Sequence, residues 1–354
     1  MNSLRELYKQ HTGKSSDKWD IYLSTYENIL SGHRSNIKRV LEIGVQNGGS
    51  LEIWGKYFNA AEHLVGCDIN PECGKLKYHN PSIDIVIGNA STEDVKEKIK
   101  SLSPFFDLII DDGSHLSSDI IKSFLLYFPL VTDDGFYIIE DLHASYWENF
   151  EGGLHYPYSS MAFLKKIADI PNHEHWGVRL SENDFIKPFN EFYNFEPKNL
   201  VDYSTIHSVT FINSLCIIRK KKAENNLLGA RHIAGNEWGV FASNRHSQGR
   251  TINCLPQDNN RWSNLNTFPE MEWDNLITNS ERKEKAIEEF KKNKKDLSDE
   301  FINKINILEI ELADKAQLAE ERLQELEALK NSKSWKITNP LRKLMSIIKS
   351  IKSI

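Results

Sequence analysis

Val40-Leu41-Glu42-Ile43-Gly44-Val45-Gln46-Asn47-Gly48-Gly49-Ser50 reads as an apolar strand running into a glycine-rich turn ahead of a helix. Glycine lets a backbone approach a ligand closely, and the N-terminus of the helix that follows offers unpaired N–H groups. The spacing is not G-x-G-x-x-G, which disfavours a loop for a dinucleotide pyrophosphate. Glu42, just ahead of the turn, suits a ligand with a cationic amino-acid group better than a diphosphate.

On either side of this run, up to about residue 220, short apolar segments alternate with amphipathic ones, the pattern of an α/β domain. Strands are expected at 39–43, 63–68, 84–88, 106–111 and 135–140, and helices at 51–57, 92–102 and 117–128. Several strands are nearly continuous apolar runs, as parallel strands buried on both faces require. Two alternating strands, 207–211 and 215–219, are split by Ile212-Asn213-Ser214, a hairpin signal. The fold class expected is a Rossmann-like, doubly wound α/β sheet with an antiparallel edge hairpin, followed by a helical coiled-coil extension.

Ligands of such sheets bind at the carboxyl ends of the strands. The second strand ends at Asp68, about 20 residues after the glycine turn, where a carboxylate accepts bonds from ribose hydroxyls or caps the next turn. The third ends in Gly88-Asn89-Ala90, a place to meet an adenine ring. The cofactor candidates are therefore Glu42, Gly44, Gly48, Ser50, Asp68, Asn89 and Asp111, with S-adenosylmethionine as the cofactor expected. The fourth strand runs into Asp111-Asp112-Gly113-Ser114-His115 and the fifth into Glu140-Asp141-Leu142-His143. Either acidic pair alone would serve as a helix cap. Together they deliver four carboxylates and two imidazoles to one sheet edge, and such crowding needs a cation or donors to neutralise it. Hard oxygen ligands favour magnesium, calcium or manganese over zinc.

EIGVQNGGS from Glu42, with GCDI, DDGSH and IIEDLHASYW, resembles the metal-dependent sugar O-methyltransferases of macrolide tailoring, of the mycinamicin and macrocin type. It is also similar to the related cephalosporin-hydroxylase-like group. Ser16-Asp17-Lys18 with Tyr22 and Tyr26 looks like that group's N-terminal segment, and the likeness covers about residues 10–220. It implies Mg2+ (or Mn2+) held by Asp112, Glu140 and Asp141, with His115 as the general base. His143, Tyr146 and Trp147 are candidates for contact with the acceptor. The stretch 145–199 departs from the family pattern. Its aromatic and histidine content (His155, Tyr156, Tyr158, His173, His175, Trp176) suits a sugar-stacking lid and equally a core.

The chain has 354 residues and a net charge of −6, without the basicity of a nucleic-acid binder. Its four cysteines form no CxxC pair, the first ten residues lack the apolar core of a signal peptide, and no apolar run is long enough to span a bilayer. A cytoplasmic protein is expected. Residues 1–220 read as the methyltransferase domain and 221–279 as an accessory segment or linker without periodicity. Residues 280–330 carry heptads, with Phe301, Leu308 and Leu329 on one position and Ile305, Leu312, Ala319 and Leu326 on its partner. Residues 331–354 form a basic amphipathic tail with six Lys or Arg and no acid. The ending from Ser332 to Arg342 looks like that of bacterial surface-polysaccharide glycosyltransferases and their partner enzymes.

The expected partners are thus a sugar or polysaccharide acceptor, a second copy or a glycosyltransferase bound through the heptads, and the inner face of the cytoplasmic membrane met by the tail. The function expected is methylation of a sugar hydroxyl in bacterial polysaccharide or lipopolysaccharide O-antigen synthesis. Two alternatives stand beside it: an O-methyltransferase tailoring a glycosylated natural product, and a non-catalytic scaffold with a degenerate methyltransferase fold. A nicotinamide-dependent oxidoreductase is disfavoured by the missing G-x-G-x-x-G.

Overall fold

The computed structural model describes residues 2–198, 201–240, 242–260 and 263, and further on 304–305, 307–308, 311–325, 327–328, 342 and 345. The chain divides into two compact units, Met1–Ile277 and Thr278–Ile354.

In the first unit two helices precede the sheet: α1 (Leu4–Gln10), closed by a Ser3–Glu6 capping box, and α2 (Asp20–Leu30). Then follow β1 (Arg39–Ile43), α3 (Gly49–Tyr57), β2 (His63–Asp68), β3 (Ile83–Ile87), α4 (Glu93–Leu102), β4 (Phe106–Asp111), α5 (Ser117–Tyr127) and β5 (Val131–Ile139). After α6 (Ser160–Ile167) and α7 (Glu182–Phe192), β6 (Ile206–Ile212) and β7 (Leu215–Lys220) complete a seven-stranded sheet in the order β3-β2-β1-β4-β5-β7-β6. The first five strands pair in parallel, and β7 runs antiparallel between β5 and β6. This is a Rossmann-like methyltransferase fold with the expected edge hairpin.

Strand β5 starts four residues earlier than the apolar run from Gly135 suggested. Its register against β4 shifts between Phe106 and Leu108, and Asp134 takes φ 64°. Such a bulge carries the strand through exposed Asp133 and Asp134, polar residues that broke the apolar pattern.

Two apolar layers sandwich the sheet. One joins Leu41, Ile43 and Ile109 to α5, α6 and α7; the other joins Val40, Leu108 and Ile110 to α2 and α3. Helix α2 belongs to the second layer because Tyr22, Leu23, Tyr26 and Leu30 bury one helical face. Tyr158 lies in the first layer, stacked on Phe192 at 3.8 Å, so it is a core residue and not part of a lid.

Among the described residues of 221–260 there are two short 3-10 turns and no strand, and Gln257 N–H reaches the Gly177 carbonyl at 2.7 Å. In the second unit the described residues are helical, and the heptad residues Ile305, Leu308 and Leu312 are exposed. Phe301, Leu326 and Leu329 lie outside the described residues, as does the tail apart from Arg342 and Met345. Among the described residues no helix is long and apolar enough to cross a membrane.

Candidate active site

The carboxyl ends of β1, β2, β3 and β4 surround an open cleft whose lining includes Gly44, Asp68, Gly88, Asn89, Asp111 and His115. Gly44 has φ +92°, and a Cβ there would sit 1.9 Å from the Asp112 carbonyl oxygen, so only glycine lets the β1 turn pass the end of β4. Asp68 accepts from the Val45 and Gln46 N–H groups at 2.9 Å each and from Asn70 N–H at 2.8 Å. Burial opposes its charge, but these donors outweigh it and hold the carboxyl below the usual aspartate range. Asp111 is buried, which pushes its carboxyl up to about 7, against bonds from the Tyr137 hydroxyl at 3.3 Å and the Gly113 backbone N–H.

Three sequence candidates stand elsewhere. Glu42 is buried and accepts from Ser50 Oγ at 2.6 Å and Trp54 Nε1 at 3.4 Å, so its carboxylate fastens the turn to α3 and does not line the cleft. Side chains alternate along a strand, and Glu42 shares the α3-facing side of β1 with Val40, while Leu41 and Ile43 face the other layer. Ser50, as the donor to Glu42, and Gly48, whose missing Cβ makes room for the Tyr78 hydroxyl, are likewise parts of the loop's support.

Beside the cleft lies an acidic cluster. One ligand atom from each of Asp112, His115 and Asp141 falls within 4.8 Å of the others. His115 Nε2 is 4.0 Å from Asp112 Oδ1 and 3.8 Å from Asp141 Oδ2. Both His115 and Asp141 have positive φ, 58° and 54°, a backbone conformation that costs non-glycine residues of order 1 kcal/mol or more and that collects at functional sites.

The opposite oxygens of the carboxylates are anchored by the N-terminal segment. Asp112 Oδ2 accepts from Lys18 Nζ at 2.5 Å. Asp141 Oδ1 accepts from the Tyr22 hydroxyl at 2.7 Å and Trp19 Nε1 at 3.1 Å. Glu140, expected as a third ligand, accepts at Oε1 from the Tyr26 hydroxyl at 2.5 Å and at Oε2 from Lys18 Nζ at 2.7 Å. Burial works against the Lys18 charge, but Glu140, Asp112 and Glu42 outweigh it and hold the ammonium protonated, well above the usual lysine range. Burial likewise pushes the Glu140 carboxyl up.

His143 Nδ1 meets Ser214 Oγ at 2.5 Å, and its ring lies edge-on to Trp147 at 5.0 Å and Trp19 at 6.1 Å. Trp19, Trp147 and Tyr146 are exposed, and a second cavity beside them is lined by His143, Tyr146, Phe211 and Ser214. Sequence reasoning placed Lys18, Tyr22 and Tyr26 in a family segment without a role and passed over Trp19 and Ser214. Their contacts with the site span 71 to 122 residues of chain.

No family model matches the chain. Among curated proteins it is similar to the 8-demethyl-8-alpha-L-rhamnosyl tetracenomycin-C 2'-O-methyltransferase of Streptomyces olivaceus, at 33% identity over 175 residues, 46% of this chain and 45% of that protein. It is also similar to the mycinamicin VI 2''-O-methyltransferase of Micromonospora griseorubida, at 29% identity over 198 residues, 53% of this chain and 46% of that protein. The chain thus spans about half the length of these relatives in each match. Among solved structures, the MycE methyltransferase of the mycinamycin pathway, in complex with Mg, SAH and mycinamycin VI, matches with TM-score 0.51 at 23% identity. That match covers 63% of this chain and 54% of the other, and it agrees with the fold described above.

Proposed function

We propose that this chain is an S-adenosylmethionine-dependent O-methyltransferase that acts on a sugar hydroxyl. The observation that carries the reading is the double membership of His115, which lines the cleft and also belongs to the acidic cluster. A group that joins a nucleoside-type cleft to a carboxylate cluster stands where a methyl donor and a hydroxyl acceptor would meet. The carboxylates of Asp112 and Asp141 are hard oxygen donors of the kind that suit Mg2+ or Mn2+. Both curated relatives are, by name, O-methyltransferases.

In this reading Asp68, Asn89 and Asp111 take the nucleoside of S-adenosylmethionine. Asp112 and Asp141 would hold a divalent cation, whose charge lowers the pKa of an acceptor hydroxyl, while S-adenosylmethionine supplies the methyl group. His115 accepts the hydroxyl proton at Nε2, as a general base. Trp147, Tyr146 and His143 offer an aromatic rim for a sugar ring.

The named relatives favour an acceptor sugar on a glycosylated natural product over the polysaccharide or O-antigen chain suggested by the tail. The polysaccharide reading remains compatible with the same chemistry. The heptads as an oligomer or glycosyltransferase contact, the tail as a membrane contact and the cytoplasmic location are also proposals.

Isothermal titration tests the cofactor. S-adenosylmethionine should bind without acceptor and NAD should not, and Asp68→Ala should weaken binding by about tenfold or more, as expected for lost bonds to a charged group. Unchanged affinity in that variant would remove the ribose assignment. Methyl transfer to a panel of rhamnosides and to isolated polysaccharide, with EDTA and with added Mg2+, separates the acceptor readings. Full turnover in excess EDTA counts against the cation.

A further inference from the structure

We infer that the cavity between the end of β5, helix α6 and the β6–β7 hairpin is a subsite for the acceptor beyond its reacting sugar, and that it takes an apolar ring aglycone. The inference rests on the proposed sugar O-methyltransferase reading and names the class of acceptor. The cavity measures about 330 Å³, within the range of small-molecule sites.

Its place relative to the chemistry follows from Asp141. His115 Nε2 stands 3.8 Å from one oxygen of that carboxylate, and His143 Nδ1 stands 4.0 Å from the other. His143 in turn lines the cavity. One carboxylate thus separates the proposed base from the cavity wall. An acceptor with its hydroxyl at His115 has the cavity within reach of the group that its sugar carries.

The walls come from two elements. Ser214 fixes the hairpin turn, with its hydroxyl 2.8 Å from the Tyr22 hydroxyl and 2.5 Å from His143 Nδ1, and its carbonyl accepting from Leu142 N–H at 3.0 Å. Phe211 and Ile212 lead into that turn from β6, and Phe211 is 39% exposed, a large apolar side chain on the edge strand. On α6, Met161 and Lys165 lie four positions apart and share a helical face, while Phe163, Leu164 and Ile167 belong to the core. A methionine there adapts to the shape of a ring laid against it. Both α6 residues fall in the stretch 145–199 that departs from the family pattern, so this wall is particular to the chain.

Composition decides the occupant. A second sugar would bring hydroxyls that need donors and acceptors of their own. Among the described residues no carboxylate lines the cavity, and the Ser214 hydroxyl is already engaged by Tyr22 and His143. Leu142, Met161, Phe211 and Ile212 supply apolar surface instead, and exposed Tyr146 lines the cavity beside them. An apolar ring gains by leaving water for such walls.

Two members of the rhamnoside panel test this, one with a 2-naphthyl and one with a methyl aglycone. Each is titrated calorimetrically against the full chain with Mg2+ and S-adenosylhomocysteine. The naphthyl compound should bind at least about tenfold more tightly, because its ring is removed from water. In Phe211→Gln and in Met161→Gln that ratio should fall to about threefold or less. The ratio is read within each variant, so general damage, which weakens both compounds alike, does not move it.

Equal affinities in the wild type overturn the inference, and so does a wild-type ratio kept in both variants. If the wild type binds neither rhamnoside, 2-naphthol alone reports the cavity. Binding of 2-naphthol that Phe211→Gln weakens supports the subsite and counts against rhamnose, whereas no binding overturns it. A chain that prefers the naphthyl compound but transfers no methyl group to any glycoside removes the methyltransferase reading and leaves the subsite standing.

Discussion

Asp111 and His115 lie four positions apart, and their surroundings give them different chemistry. Asp111 ends β4 buried, and burial lifts its carboxyl from the ordinary 3.8 to about 7. Between these values the native protein holds a proton that the unfolded chain has released, so this group's contribution to stability falls as pH rises from about 4 to about 7 and is level above that. Asp111→Asn should abolish that fall, which amounts to at most roughly 4 kcal/mol. Urea unfolding of both proteins across this range reads the difference, and parallel curves would mean that Asp111 is not held neutral. His115 stands where cleft and cluster meet, so His115→Ala should lower methyl transfer by about 10²–10⁴-fold. As a base it should leave Mn2+ affinity nearly unchanged; a large loss of Mn2+ binding would make it a ligand. Asp112, His115 and Asp141 could be picked out in the sequence because parallel strands are apolar runs that stop abruptly at polar residues. Glu42 was misplaced for a physical reason: one step along a strand reverses the face, and a strand-end acid does not declare which face it takes.

At the scale of elements, the site is assembled by three pieces that meet from distant parts of the chain. The strand ends supply the carboxylates, α2 with the segment before it supplies Lys18, Trp19, Tyr22 and Tyr26, and the β6–β7 hairpin supplies Ser214. The hairpin itself was evident from alternation on either side of a short polar turn. Its reach into the site was not, because pairing β7 against β5 is a tertiary choice that brings residue 214 beside residue 143. Helix α2 likewise announced an apolar face but not the acids it would meet. Tyr22 couples these pieces, since its hydroxyl donates to Asp141 Oδ1, accepts from Asp141 N–H and lies 2.8 Å from Ser214 Oγ. Tyr22→Phe should therefore release Asp141 from its positive-φ conformation. We expect about 10–100-fold slower methyl transfer, the scale of loss seen when a ligand's supporting bond is removed, with S-adenosylmethionine affinity unchanged. Equal loss of cofactor affinity in calorimetry would place the effect in the sheet as a whole.

For the whole molecule, we propose that the division at Ile277 separates chemistry, in the first unit, from attachment, in the second. The cleft, the acidic cluster and their anchors all lie before residue 220. The heptads between 280 and 330 and the basic apolar ending were legible as periodicity and charge alone. Which partner they meet is not, because an amphipathic helix presents the same face to a second copy, another enzyme or a lipid surface. A truncation after Ile277 should keep the fold, bind S-adenosylmethionine and methylate a soluble acceptor at a rate near that of the full chain. It should lose self-association, read by light scattering, and retention on vesicles containing anionic lipid. The tail would bind through apolar burial together with attraction to that lipid, so high salt should release part of the full-length protein and have no effect on the truncated one. If both proteins behave identically on vesicles and the full-length chain is monomeric, the anchoring and oligomer readings both fail. If the truncated protein stays folded and binds cofactor but no longer turns over, residues beyond 277 contribute to the acceptor site, and the division of labour proposed here is wrong.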